Sequence, residues 1–397
     1  MTDTTLLAQV LLMLAALVAG SWAVGWALAR FWLRGPDLSA FDRATGRVFS
    51  SGPTPSSEHR QVVASLGRVK ALLQGVPRRQ HIAVLRKYVD EVFAPLPAEH
   101  ANADADADAV LTVPAENPTH PASPDKAISF IPVNAGGVDA EWVLTPGADP
   151  TRRLLYIHGG AFAVGSAKSH RRLTSEFARR SGGVVLAINY RLLPEHGRRA
   201  GIEDCQTAYR WLIDHGPLSG QARSQCIPAH KLWVAGDSAG GNLALVLIAW
   251  VRDSGLRTPD GAVALSPATD ATLASPSLRQ HVRTDPMLGP LLGPLSRVPQ
   301  TALLWAAWLY TRINPRDPLV SPVYGDLSRL PPVLVQSSGA EMLRDDARRY
   351  VNRAIAAGSP VQLQTWDHMV HVWQIFHPEL PEGRQALDEI QAFLATT

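Results

Sequence analysis

Cysteine is nearly absent from this chain, with only Cys205 and Cys226 in 397 residues. That excludes a disulfide-rich scaffold and leaves one bridge or two free thiols, so the redox compartment stays open. Lysine is scarce as well: 5 lysines stand against 33 arginines, and the arginines are scattered. A net charge of +3 without a basic cluster interleaved with aromatics argues against nucleic acid as a partner. Charged residues make up only 18% of the chain and apolar residues 46%. That is the composition of a globular protein with a real core and some extra apolar surface. No His-Glu-x-x-His run occurs, and His368, His371 and His377 lack an acidic ligand at helical spacing. No metal and no other cofactor is expected.

Charge is missing most completely near the N-terminus. Leu6 to Ala29 reads LLAQVLLMLAALVAGSWAVGWALA, 24 residues without one ionisable side chain. As a helix this run would extend roughly 36 Å, enough to cross a hydrocarbon core. Arg30 and Arg34 follow it, and Trp22, Trp26 and Trp32 sit near that end. The aromatic and basic flank predicts a helix end at a membrane interface, with the rest of the chain in the cytoplasm. A cleaved signal peptide and a secreted protein are the alternative, with SWA at 21–23 as the cleavage site. Against it stand the acidic leader MTDTT and an apolar region longer than signals carry.

Three segments are expected. Residues 1–34 read as a membrane anchor. Residues 35–126 read as a linker with cap helices. It holds two amphipathic stretches within 58–93, interrupted at Gly75–Pro77, and an exposed low-apolar tract containing ADADADA. From 127 to 397, apolar runs bounded by Gly and Pro alternate with helical stretches. Strands are expected at 142–145, 154–158, 184–189, 232–235, 262–265, 333–336 and 362–366. Helices are expected at 171–180, 203–214, 241–252, 345–357 and 381–395. This alternation predicts an α/β fold with a mostly parallel sheet and ligands at the C-terminal strand ends.

Two motifs fall at such strand ends. GDSAG, residues 236–240, follows the apolar run KLWVA and precedes NLALVLIAWV. A serine on a sharp strand-to-helix turn is pushed out over the sheet edge, and Gly236 and Gly240 give the turn room. HGGA at 158–161 follows LLYI. Acyl transfer develops an oxyanion that needs N–H donors, and Gly159, Gly160 and Ala239 are the expected set. His158 is expected to support the loop. For the base, QLQTWDHMVHVWQIF offers His368 and His371; for the acid, SSGAEMLRDD offers Glu341, with Asp345 and Asp346 suited to the first turn of the next helix.

HGGAFAVGS (158–166), YRLLPEH (190–196), GDSAGGN (236–242), DPLVSP (317–322), LPPVLVQSSGAEMLRDDARR (330–349) and HMVHVWQIF (368–376) resemble the bacterial hormone-sensitive-lipase family. These are the HGG/GDSAG carboxylesterases of the α/β-hydrolase fold. The resemblance spans residues 127–397. It implies Ser238 as nucleophile, His371 as base through MVHVW, and Glu341 as the acid where many members carry Asp. The sequence departs from the family at GRRAGIED after PEH, where a proline-rich stretch is usual. The implied activity is hydrolysis of carboxylic esters with short to medium acyl chains. Lactone hydrolysis is the alternative, and a non-catalytic ligand-binding protein of the same fold is a more distant one. The resemblance also implies a helical cap, with 58–93 as one part; 278–312 with its run LLWAAWLY is either its other half, lining an acyl pocket, or an ordinary buried helix with Trp305 and Trp308 in the core.

Overall fold

The computed structural model describes the chain except residues 1–12, 15, 18, 19, 22, 51, 53, 67–71, 94–127 and 219–220. The expected low-apolar tract and half of the expected membrane run lie outside the described residues. Among the described residues, no helix is long and apolar enough to cross a membrane. The strands are, in chain order, β1 (Arg47–Phe49), β2 (Ser129–Ala135), β3 (Val138–Leu144), β4 (Asp149–Ile157), β5 (Gly183–Ile188), β6 (His215–Leu218), β7 (Gln221–Cys226), β8 (Lys231–Asp237), β9 (Gly261–Leu265), β10 (Val333–Ser338) and β11 (Val361–Trp366). The longer helices are α1 (Ser57–Leu66), α2 (His81–Val92), α3 (Arg171–Ser181), α4 (Arg198–Asp214), α5 (Ala239–Asp253), α6 (Gln300–Thr311), α7 (Arg344–Ala356) and α8 (Pro381–Thr396).

The chain forms two compact units interleaved in sequence. One comprises residues 68–265 and 372–397; the other comprises 1–67 and 266–371. Both draw on the expected linker segment and on the expected catalytic segment.

In the first unit the strands run in the order β9-β8-β4-β5-β3-β2. The pairs from β9 to β5 are parallel, and β3 and β2 close the far edge antiparallel. The cause is visible in the strands themselves. VVLAI in β5, LWVA in β8 and GAVAL in β9 are buried along their whole length, which suits strands covered by helices on both faces. Helix α3 stops at Gly182, which takes the left-handed conformation (φ 62°) that ends helices without a side-chain penalty. Cys205 is buried, Cys226 is exposed, and both are free thiols.

The other unit holds β1, β11 and β10, paired in that order and all parallel. Every residue of β10 is buried. Helix α6 meets residues near the N-terminus: Ala29, Leu33 and Leu304 are buried together, with Trp305 and Trp308 against them. Of the two readings of LLWAAWLY, an acyl-pocket lining or a packed helix, the described contacts of its two tryptophans with this N-terminal helical segment fit the packed helix.

Candidate active site

The geometry of the first unit begins with register. Ile157 at the end of β4 pairs with Gly236 in β8, so the HGGA loop leaves the sheet beside the GDSAG turn. The turn is tight. A methyl group at Gly240 would fall on the Ile157 carbonyl oxygen, and one at Gly236 would lie 2.5 Å from the Gly240 carbonyl oxygen. Ser238 itself is strained, at φ 51° and ψ −113°, a conformation that costs a non-glycine residue about 1–3 kcal/mol. Its N–H donates to the Leu265 carbonyl at 2.7 Å, and its carbonyl accepts from Asn242 at 3.0 Å. Ala239 opens α5, so its N–H has no partner within the helix.

Asp237, the variable residue of the motif, anchors the neighbouring loop. Its Oδ1 accepts from the Tyr156 hydroxyl at 2.7 Å and from the Gly159 N–H at 3.0 Å. His170 Nε2 lies 3.3 Å from its Oδ2. Burial pushes the Asp237 carboxyl up, but His170 and these hydrogen bonds hold it below its usual value. The Gly159 N–H, one of the expected oxyanion donors, thus already has an acceptor in Asp237. Among the described residues, the N–H groups of Gly160 and Ala161 meet no acceptor. The loop there turns through positive φ at Gly160 (111°), Ala161 (52°) and Phe162 (62°).

In the other unit, Glu341 follows β10 and is fully buried. Its Oε1 accepts the Ser338 N–H at 2.8 Å, and its Oε2 lies 2.6 Å from His371 Nδ1. His371 is 2% exposed, so this contact is shielded from water. Asp345 and Asp346 are engaged elsewhere. Asp345 accepts the Ser277 N–H at 2.9 Å, and Asp346 accepts from Thr269, Asp270 and Ser275. His368 sits in a turn with φ 65°.

Comparison with known proteins decides the family. An α/β-hydrolase-fold family model matches residues 154–375. An acetyl-hydrolase from Streptomyces hygroscopicus is 39% identical over 264 residues, covering 66% of this chain and 82% of that protein. An esterase from Acinetobacter venetianus is 32% identical, covering 67% and 82%. Among solved structures, an esterase from the bacterial hormone-sensitive-lipase family superposes with a TM-score of 0.66 at 33% identity, over 86% of this chain and 98% of its own. The EstE5 structure soaked with p-nitrophenyl butyrate also scores 0.66, at 33% identity over 86% and 98%.

The chain belongs to the hormone-sensitive-lipase family of carboxylesterases. It is a carboxylic ester hydrolase with the α/β-hydrolase fold. The esterase surrounds its motifs with supporting residues, one of them the motif histidine and two that the motifs do not announce. His158 is buried and stacked on Tyr190 at 4.4 Å, with Nδ1 2.7 Å from the Gly159 carbonyl. Burial lowers its pKa to about 3, so it is neutral and fits loop support. Arg86 of α2 donates to the Ala163 and Leu193 carbonyls and pairs with both Glu195 oxygens at 3.0 and 2.8 Å. The second amphipathic stretch expected within 58–93 thus contacts the chain just after HGGA. Asp285 is buried, and its Oδ2 accepts the N–H of Met342, the residue after Glu341, at 2.9 Å. An aspartate before proline is a commonplace turn signal, so sequence alone gave Asp285 no special standing.

Proposed function

We propose that this carboxylesterase cleaves esters of short to medium acyl chain by two-step acyl transfer. Ser238 is the nucleophile, His371 the base and Glu341 the acid that orients it. The observation that carries this reading is the buried 2.6 Å contact of Glu341 with His371 Nδ1, which leaves Nε2 as the nitrogen that exchanges protons. Nε2 takes the proton of Ser238 Oγ as Oγ bonds to the ester carbonyl carbon. The tetrahedral oxyanion is held by the N–H groups of Gly160, Ala161 and Ala239, with Ala161 in place of Gly159. The alkoxide leaves with the proton from Nε2. Water, deprotonated by Nε2, then attacks the acyl-enzyme and releases the acid. The names of the acetyl-hydrolase relative and the p-nitrophenyl butyrate soak of EstE5 support the short-chain assignment.

Residues 1–34 are assigned to a membrane anchor through 6–29, residues 35–126 to a linker and cap helices, and 127–397 to the catalytic domain on the cytoplasmic side. A C-terminal reporter active only in the periplasm would reverse that orientation. For the chemistry, p-nitrophenyl acetate, butyrate, octanoate and palmitate are offered to the wild type and to Ser238→Ala. The reading requires activity highest on acetate or butyrate and loss of at least 10³-fold in the variant. Hydrolysis retained by Ser238→Ala overturns the nucleophile assignment.

A further inference from the structure

The charge-free N-terminal run ends beside a small polar cavity. Residues 23–28 are helical and pass into a wider turn over Ala29–Leu33. Immediately after it, Arg30, Arg34, Asp37 and Arg349 line a pocket of about 180 Å³. Among the described residues, Arg30 and Arg34 have no carboxylate within ion-pair distance. Arg349 is held in place by Asp42, bidentate at 2.6 and 2.9 Å. Asp37 faces the same cavity, its two oxygens tied to Ser39 N–H and Oγ at 2.9 Å each. Asp42 neutralises Arg349 from outside the cavity, and the Asp37 carboxylate feels both Arg34 and Arg349, so Arg30, Arg34 and Asp37 leave the cavity one net positive charge.

Toward the N-terminus from there lies an open apolar groove. Leu17, Val24, Leu28 and Trp305 line it. Its floor is fixed, because Trp305 Nε1 donates to the Gly25 carbonyl at 3.0 Å. Apolar side chains also face outward here: Phe31 is 74% exposed and Trp26 54%. Leu309 and Tyr310 of α6 are exposed as well, on a helix with no charged residue. A polar anion pocket and an apolar groove in one stretch of chain match an amphiphile with a negative head and long tails. A free phosphate would use the polar pocket alone.

We propose that the pocket at Arg30, Arg34 and Arg349 binds the phosphate of an anionic phospholipid whose acyl chains lie in the groove beside Leu17, Val24 and Leu28. The proposal rests on assigning residues 6–29 to the membrane. It makes the anchor a reader of headgroup charge as well as an apolar tether, since each basic residue near an anionic surface strengthens binding several-fold.

The full-length esterase is titrated in detergent with phosphatidylglycerol or phosphatidylcholine, and bound lipid is counted by native mass spectrometry. The wild type binds phosphatidylglycerol about 20-fold more tightly. Arg30→Gln and Arg34→Gln each lose part of that preference and the double variant loses all of it, while p-nitrophenyl butyrate hydrolysis is unchanged and reports an intact fold. Equal affinities in the wild type, or a preference surviving in the double variant, overturns the headgroup site. Displacement of the lipid by millimolar inorganic phosphate alone overturns the lipid in favour of a free anion. The anchor is tested separately: failure of the wild type to float with neutral phosphatidylcholine vesicles removes the membrane assignment itself.

Discussion

The Gly159 N–H points at the carboxylate of Asp237, 3.0 Å away, in the fully buried space between the ends of β4 and β8. The second residue of the HGGA motif is therefore a structural strut. Its glycine character has the same cause: a methyl group there would collide with the Asp237 side chain.

Asp237→Ala removes the acceptor for Tyr156, Gly159 and His170 together. Breaking a buried, charge-paired cluster on one side costs about 3–5 kcal/mol. Urea denaturation should show a loss of that size, and kcat should fall because the loop at Gly160 and Ala161 is released. Asp237→Asn keeps an acceptor for Gly159 and should retain more of both. Equal behaviour of the two variants contradicts the strut.

Gly240→Ala should prevent folding or cost more than 3 kcal/mol, since the added methyl meets the Ile157 backbone and nothing nearby is a flexible side-chain end. Gly197 is the matched control. It stands in open space at negative φ, and its substitution by alanine should cost no more than about 1 kcal/mol. Expression yield and thermal midpoints distinguish the two.

Asp346 gives stability a pH dependence. Burial, with Asp270 beside it, pushes its carboxyl up to about 7, and burial raises Asp270 too. The folded chain then holds a proton that the unfolded chain releases near pH 3.8. Between those values the native state binds more protons, so stability falls as pH rises through the window and the contribution is gone above about pH 7. The urea midpoint should be lower at pH 8 than at pH 5.5. Asp346→Asn mimics the protonated acid toward Thr269, Asp270 and Ser275, and should flatten the fall. An unchanged slope in the variant contradicts the assignment.

Asp285→Ala tests positioning at a distance. The change frees the Met342 N–H and loosens the turn that carries Glu341. A displacement near 1 Å in such a group costs about 10²-fold in rate. The expected result is a kcat reduced by that order with KM little altered.

The strands that could be read in advance are those buried on both faces, such as β5, β8 and β9, whose apolar runs have no other use. Strand β1 was not foreseen. It has three residues, two of them exposed, and its strand character comes from pairing with β11, 300 positions later in rough terms. The polar hairpin β6–β7 was missed for want of alternation. At the site, GDSAG and HGGA were legible because small residues at a strand end are themselves the signal. Which N–H groups stay free was not legible. That depends on where Asp237 points, and its direction follows from the β4–β8 register. His368 and His371 are not related by helical spacing, since 367–372 holds no helix and His368 has positive φ.

The proposed chemistry turns on one atom, Ser238 Oγ. Intact-protein mass spectrometry of the wild type, Ser238→Ala and His371→Ala after exposure to a fluorophosphonate tests it most directly. One adduct per chain, mapped by peptide digestion to Ser238, absent in Ser238→Ala and formed at least 10³-fold more slowly in His371→Ala, is the expected result. An active wild type that acquires no adduct, or acquires it on another residue, contradicts the catalytic assignment.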